Sequence, residues 1–235
     1  MILYHMSDSL KEGTELTLDY KKNIYLVEPY VKALNISTTM FQTLLLNADY
    51  LGSVLEKYNL TGMPAHAYKW AAEGIFEYVR RKEFPEQIGR VSCNYFYPDL
   101  KLCSQLYYED WGEASEEERS KIKLYEVEVS GRTASYDMRL FDEAFDYLYD
   151  DSTDTGLAHC MDLARKYFRG ENGEDAVMEI LSDGKAVAVR EIVKARLIAP
   201  PAHKSLEERA AEYDGKLNLD GELNWKGDPV GKEIW

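Results

Sequence analysis

Two ionisable residues far apart in the chain each interrupt an apolar run that reads as a β-strand. His5 lies within ILYHMS, and Glu179 lies at the head of a late strand, in VMEIL, ahead of Asp183-Gly184. Burying an ionisable group in an apolar strand is unfavourable unless it has a partner or a task. An imidazole titrates near neutrality and can donate or accept a hydrogen bond. A carboxylate can stabilise developing positive charge or accept a proton. One such group near each end of the sequence is the pattern of a site that folding assembles. Each also has a plain structural reading: a histidine satisfied in the core or at a sheet edge, and a glutamate on the solvated face of a strand.

Other residues could contribute to such a site. The segment RVSCNYFY carries Arg90, Ser92, Tyr95 and Tyr97, and KYFRGENGED carries Tyr167. A guanidinium fork matches phosphate oxygens, although an arginine at a sheet edge or on the surface is an equal alternative for Arg90. Tyrosine rings stack on planar ligands or fill cores. Arg80-Arg81-Lys82 ends a helical segment, where positive charge offsets the helix dipole. The same run could instead be a small basic patch that guides an anionic substrate.

Several common chemistries are missing. The sequence holds no GxxxxGK[ST], GxGxxG, HExxH, GxSxG or CxxC, which removes the most frequent readings as a nucleotide triphosphatase, dinucleotide dehydrogenase, zinc protease or serine hydrolase. Histidines at 5, 66, 159 and 203 lack metal-ligand spacing, so no metal site is expected.

The elements that would position these residues are legible in part. Residues 1–6 read as a strand, and 10–13 as a turn or short helix ending in Gly13. NIYLV (23–27) reads as a strand ending before Pro29. Apolar spacing is helical from about 30 to 59 and again from 65 to 82, an apparent helical insertion at about 30–87. RVSCNYFY (90–97) reads as a strand, followed by a helix after Pro98-Asp99. Residues 112–121 form an acidic connector, and KLYEVEV (123–129) is the cleanest alternating strand. Helices are expected over 138–149 and 155–169. Strands are expected over 179–182 and 186–189 as a hairpin through Asp183-Gly184, with a further strand over 193–198. A helix at 206–213 would lie in a polar C-terminal extension, 201–235. Adjacent late strands joined by a hairpin argue for an α+β fold, as one domain spanning about 1–200.

The order of these pieces resembles a known superfamily. ILYHMS followed by LKEG resembles the opening strand and turn of diphtheria-toxin-like ADP-ribosyltransferases. GRVSCNYFYPDLKLCSQL is similar to their second strand and following helix, where a Ser or Thr and aromatic residues line the nicotinamide slot. VMEILSDGKAVAVREI is similar to their closing strands, where the DNA-targeting toxins carry a ribose-orienting Glu. KYFRGENGED resembles a Tyr-containing loop before the catalytic strand of several bacterial members. The resemblance covers residues 1–30 and 88–198 in scattered short pieces, and order and spacing carry most of it. The insertion at 30–87 has no counterpart. NIYLVEPYVKAL competes with RVSCNYFYPDLKLC for the second strand, which leaves the stacking aromatic open.

The resemblance implies an ADP-ribosyltransferase-like split β-sheet core interrupted by a long helical insertion. It implies NAD as a substrate, bound without metal. Glu179 would be the catalytic carboxylate beside the ribose. His5 would donate to an adenosine ribose hydroxyl, with Ser7 nearby and Arg90 on the pyrophosphate. Ser92, Tyr95, Tyr97 and Tyr167 would line the nicotinamide site. The expected activity is transfer of ADP-ribose to a protein, RNA or DNA acceptor, in a toxin or phage-conflict setting that can include a protein inhibitor or antitoxin.

Composition bounds this. The net charge of −14 weighs against a broad duplex nucleic-acid footprint but admits a short single strand in a local basic cleft, or a basic protein partner. Eighteen tyrosines in an acidic chain also suit a non-catalytic protein-binding module, and water as acceptor would make the chain an NAD glycohydrolase. Cys93, Cys103 and Cys160 form no disulfide framework, which fits a reducing cytosol. The N-terminus lacks the pattern of a signal peptide, and no run is long enough to span a membrane, so a cytoplasmic location is expected.

Overall fold

Six short strands sort into two antiparallel three-stranded sheets in the computed structural model, which describes residues 1–17, 20–57 and 67–193. The strands are β1 (Ile2–Ser7), β2 (Asn94–Phe96), β3 (Lys123–Ser130), β4 (Thr133–Asp137), β5 (Met178–Ser182) and β6 (Lys185–Ile192). One sheet has the order β1-β3-β6 and the other β2-β5-β4. The architecture is α+β, with two small antiparallel sheets and a helical majority. The sheets touch edge to edge at a single bridge, where Tyr4 and Tyr97 exchange both backbone hydrogen bonds (3.0 and 2.8 Å).

Side-chain alternation separates three packing layers. Leu3, Tyr125, Val127, Ala186 and Ala188 of the first sheet cluster with Phe96 and Ile180 of the second, so the two inner faces pack together. The opposite face of β2-β5-β4 supplies Tyr136 and Leu181 to a large helical core. The opposite face of β1-β3-β6 packs Tyr4, Met6, Leu124 and Ile192 against α4 (Leu100–Trp111).

The helical core contains α1 (Tyr20–Ile36), α2 (Thr38–Lys57) and α3 (Ala67–Glu83), together with α6 (Arg139–Asp150) and α7 (Asp154–Arg169). The short α5 (Glu116–Lys121) is set by a capping box between Ser115 and Glu118, within what the sequence presents as an acidic connector. Asp99 caps α4 by accepting from Leu102 N at 2.8 Å, and Gly170 ends α7 at φ 73°.

Three sequence expectations change. NIYLV is not a strand: it belongs to α1, which runs through Pro29. Val27, Tyr30, Val31 and Leu34 form one helical stripe, and their burial outweighs the backbone bond that Pro29 cannot make. α1 passes so close to α3 that a Cβ on Gly74 would meet Tyr30 Cβ at 2.6 Å. RVSCNYFY is a strand only over Asn94–Phe96, because Arg90–Ser92 form a 3-10 turn that turns the arginine inward. β4 has no counterpart in the sequence reading. The expected strand at 193–198 and helix at 206–213 lie outside the described residues, apart from Val193, which is not in a strand. No described helix is long and apolar enough to cross a membrane.

Candidate functional site at the parting of the sheets

Beyond the Tyr4–Tyr97 bridge the β1 and β2 ladders stop pairing. In continued register Met6 would face Tyr95. Instead the Tyr95 carbonyl lies 2.9 Å from Nδ1 of His5. A carbonyl only accepts, so Nδ1 carries the proton and Nε2 is left as an acceptor. The ring packs tilted on Phe96, 5.8 Å between centroids. Burial lowers the His5 pKa, against the opposing effect of the Tyr95 bond, and holds the ring neutral. The expectation that His5 donates to a ribose hydroxyl is therefore corrected: the neutral ring would accept.

The parting opens into a cleft of about 410 Å³ lined by His5, Ser7, Lys11, Thr14, Leu16 and Asn94, among others. Its far wall is a strap. Residues 13–16 run along β6 with Gly13 N to Ala188 O (2.8 Å), Leu16 N to Ala186 O (2.9 Å) and Ala188 N to Thr14 O (2.9 Å). Gly13 adopts φ 75°, which lets the strap turn there. Ser7 Oγ accepts from the backbone of Ser9 (3.2 Å) and Leu10 (3.1 Å), so it shapes this turn. Among the described residues, Asn94 Nδ2 is the one buried side-chain polar atom without a hydrogen-bond partner. An orphaned amide donor on a cleft wall fits a ligand acceptor.

The other candidate residues gather on the opposite face of β2. Arg90 is 7% exposed. Its Nε and Nη2 edge meets Glu73 of α3 at 3.2–3.4 Å. Its Nη1 contacts Glu179 Oε1 and donates to the Tyr167 hydroxyl at 2.9 Å. Tyr167 donates to the same Oε1 at 2.7 Å. The guanidinium carbon sits 4.0 Å from the Phe141 ring centroid. Tyr95, on the same face, closes the group by donating its hydroxyl to the Arg90 carbonyl at 2.6 Å.

These contacts decide several sequence-based roles. Arg90 is fully engaged inside the protein and does not face a pyrophosphate. Burial alone would lower its pKa, but attraction from Glu179 and Glu73 raises it well above the usual value. Burial likewise pushes the Tyr167 and Tyr95 phenols well up, so both stay protonated donors. Tyr167 stacks on Tyr136 at 4.4 Å between centroids and belongs to the core. Ser92 donates to the Gly89 carbonyl at 3.2 Å. Tyr97 pairs with β1 through its backbone and packs with Tyr4, Leu100 and Tyr108 beside α4. Arg80 and Arg81 are bound to Glu77, and Arg81 to Glu28, so they form no free basic patch.

Glu179 itself is only half used. Oε1 is held by Arg90 and Tyr167, while Oε2 accepts no hydrogen bond and is not sealed from solvent. His5 and Ser7 thus come together in the cleft, and Arg90, Tyr95, Tyr167 and Glu179 come together behind β2. The two groups do not share one cavity. Sequence reasoning missed Glu73, Asn94 and Lys11. Glu73 stands between Ala71-Ala72 and Gly74-Ile75-Phe76, an acid within an apolar helical stripe, and that position was its signal.

No group of three or more His, Cys, Asp or Glu side chains is placed to hold a metal among the described residues. A family model described as "Protein of unknown function (DUF2441)" matches residues 3–195. No curated protein matches the chain.

Proposed function

The chain belongs to the DUF2441 family, whose description assigns no activity, and we propose from its site that it is an NAD-dependent ADP-ribosyltransferase. The carrying observation is the split core: two three-stranded sheets that meet at one bridge, with His5 capping the broken ladder and an orphaned Asn94 amide beside it. This matches the split-sheet arrangement that the sequence resemblance implies. In this reading the cleft takes the adenosine end of NAD. Nε2 of His5 accepts from a ribose hydroxyl, Asn94 donates to the ligand, and Lys11 brings positive charge toward phosphate.

Glu179 fits the role of the carboxylate that meets the oxocarbenium-like ribose. One oxygen is fixed by Arg90 and Tyr167, and the other is free to interact. Cleavage would break the bond between nicotinamide nitrogen and ribose carbon. Nicotinamide leaves with the bonding pair, and the acceptor nucleophile forms the new bond as it gives up its proton. His5 and Glu179 lie on opposite faces of β2, so the reading requires an extended ligand that passes over the parting line. The reaction belongs in the cytosol, in keeping with three buried free cysteines.

The test is incubation with labelled NAD and cell lysate, with separate protease, RNase and DNase treatments to identify the acceptor. Label should enter one macromolecular class, and Glu179→Gln should lower incorporation by about 10²- to 10⁴-fold with the fold intact. Free ADP-ribose with no labelled macromolecule would make the protein a glycohydrolase. Absence of any NAD turnover would remove the enzymatic reading. It would favour the binding-module alternative, which has its own support in an acidic cleft formed by Asp137, Asp142, Asp146, Asp150, Glu174 and Asp175.

A further inference from the structure

The inserted helices carry one charge into the core. Glu73 is 6% exposed on α3, and its carboxylate grips Arg90 along the Nε/Nη2 edge. That edge is the one with which an arginine clamps a carboxylate by two parallel bonds. With it occupied, Arg90 has only Nη1 for Glu179, and Nη1 is shared with the Tyr167 hydroxyl. The outcome is a carboxylate anchored through Oε1 alone.

We propose that Glu73 is a positioning residue acting through Arg90: by holding the Nε/Nη2 edge it limits Arg90 to one contact with Glu179 and keeps Oε2 of Glu179 free. This deepens the transferase reading and rests on it for its functional meaning. The insertion is then part of the machinery and not only a covering. Two buried carboxylates around one guanidinium leave the group with an excess negative charge. Burial, the largest influence, raises the Glu73 pKa, and Arg90 opposes it. The charged and titratable groups that act on this cluster are Lys69 of α3, Cys93 and Tyr95 beside β2, Tyr97 after it, Asp142 of α6 and Tyr167 of α7.

The experiment compares Glu73→Gln and Glu73→Ala with the parent protein on two readouts. The first is the carboxyl ¹³C titration of Glu179, assigned through Glu179→Gln. With Glu73 uncharged or gone, Arg90 should swing to clamp Glu179, so its titration should move to lower pH, further in Glu73→Ala than in Glu73→Gln. The second is NAD turnover. Glu73→Ala should lower kcat at least tenfold with KM for NAD within twofold, and Glu73→Gln, which keeps an acceptor, should recover part of the loss. An unchanged Glu179 titration in a folded Glu73→Ala protein overturns the proposal whether or not NAD is turned over. A shifted titration with unchanged kcat also overturns it, because the free oxygen would then serve no catalysis. A shifted titration in a protein that turns over no NAD upholds the arrangement around Arg90 and removes the transferase reading alone.

Discussion

His5 has its proton fixed on Nδ1 by the Tyr95 carbonyl, and its pKa is lowered by burial. The unfolded chain therefore binds a proton more readily than the native protein. The His5 contribution is level above the unfolded value of about 6.5 and is lost as pH falls below it toward the folded pKa. Replacing His5 by Gln should flatten the change in melting temperature over that window, and an unchanged slope would show that His5 does not set it. Glu73 has the opposite sign. Its raised pKa means stability present below the unfolded value and lost as pH rises through the folded one. Glu73→Gln should therefore gain stability relative to the parent at pH 7 compared with pH 4.5, as read by urea unfolding at both. Asn94→Ala removes an unsatisfied donor, so the unliganded protein should melt no lower. NAD-induced stabilisation should nevertheless shrink. A variant that loses stability and keeps the full NAD response would place Asn94 outside the ligand site.

At the scale of elements, the turns that end β3 and β5 fit against each other with no room for a side chain. Gly131 adopts φ 109°, and a Cβ on Gly184 would lie 1.8 Å from the Ser130 carbonyl oxygen. Gly184→Ala must push the β5–β6 turn away from the β3–β4 turn and should cost about 1–3 kcal/mol, the size of an overpacked or strained site. Asp99→Ala at the head of α4 removes one cap and should cost about 1 kcal/mol. Equilibrium unfolding of both variants measures the ranking, and a larger loss for Asp99→Ala would contradict the packing argument.

Across the whole molecule, the insertion and the β-sheets share a core. Phe76 of α3 is fully buried against Phe141 of α6 and Tyr167 and Phe168 of α7, in the cluster that also holds Leu181 of β5. α1 to α3 should therefore not unfold ahead of the core. Phe76→Ala should cost about 3–5 kcal/mol and lower one common transition seen by helical and aromatic circular dichroism. Two separated transitions would show the insertion to be independent. Arg90 ties the same parts by charge. Arg90→Met leaves Glu73 and Glu179 buried without their cation and should cost about 3–5 kcal/mol at neutral pH, less in acid where the carboxylates protonate.

The sequence by itself determined those elements whose signals are local. KLYEVEV alternates, Asp183-Gly184 makes a hairpin, Pro98-Asp99 opens α4 and Gly170 closes α7, each through bonds between near neighbours in the chain. It also marked His5 and Glu179 as charges inside apolar strands, and both are strand residues. What only the tertiary structure decided depends on which apolar face meets which. NIYLV reads equally as strand or helix until α3 offers a surface for its stripe, and Thr133–Asp137 becomes a strand because β5 pairs with it. The partners of Arg90 come from positions 73, 167 and 179, and no local spacing predicts that three separate elements converge on one guanidinium. A buried charge announces that it needs partners, but the chain must close around it before they are chosen.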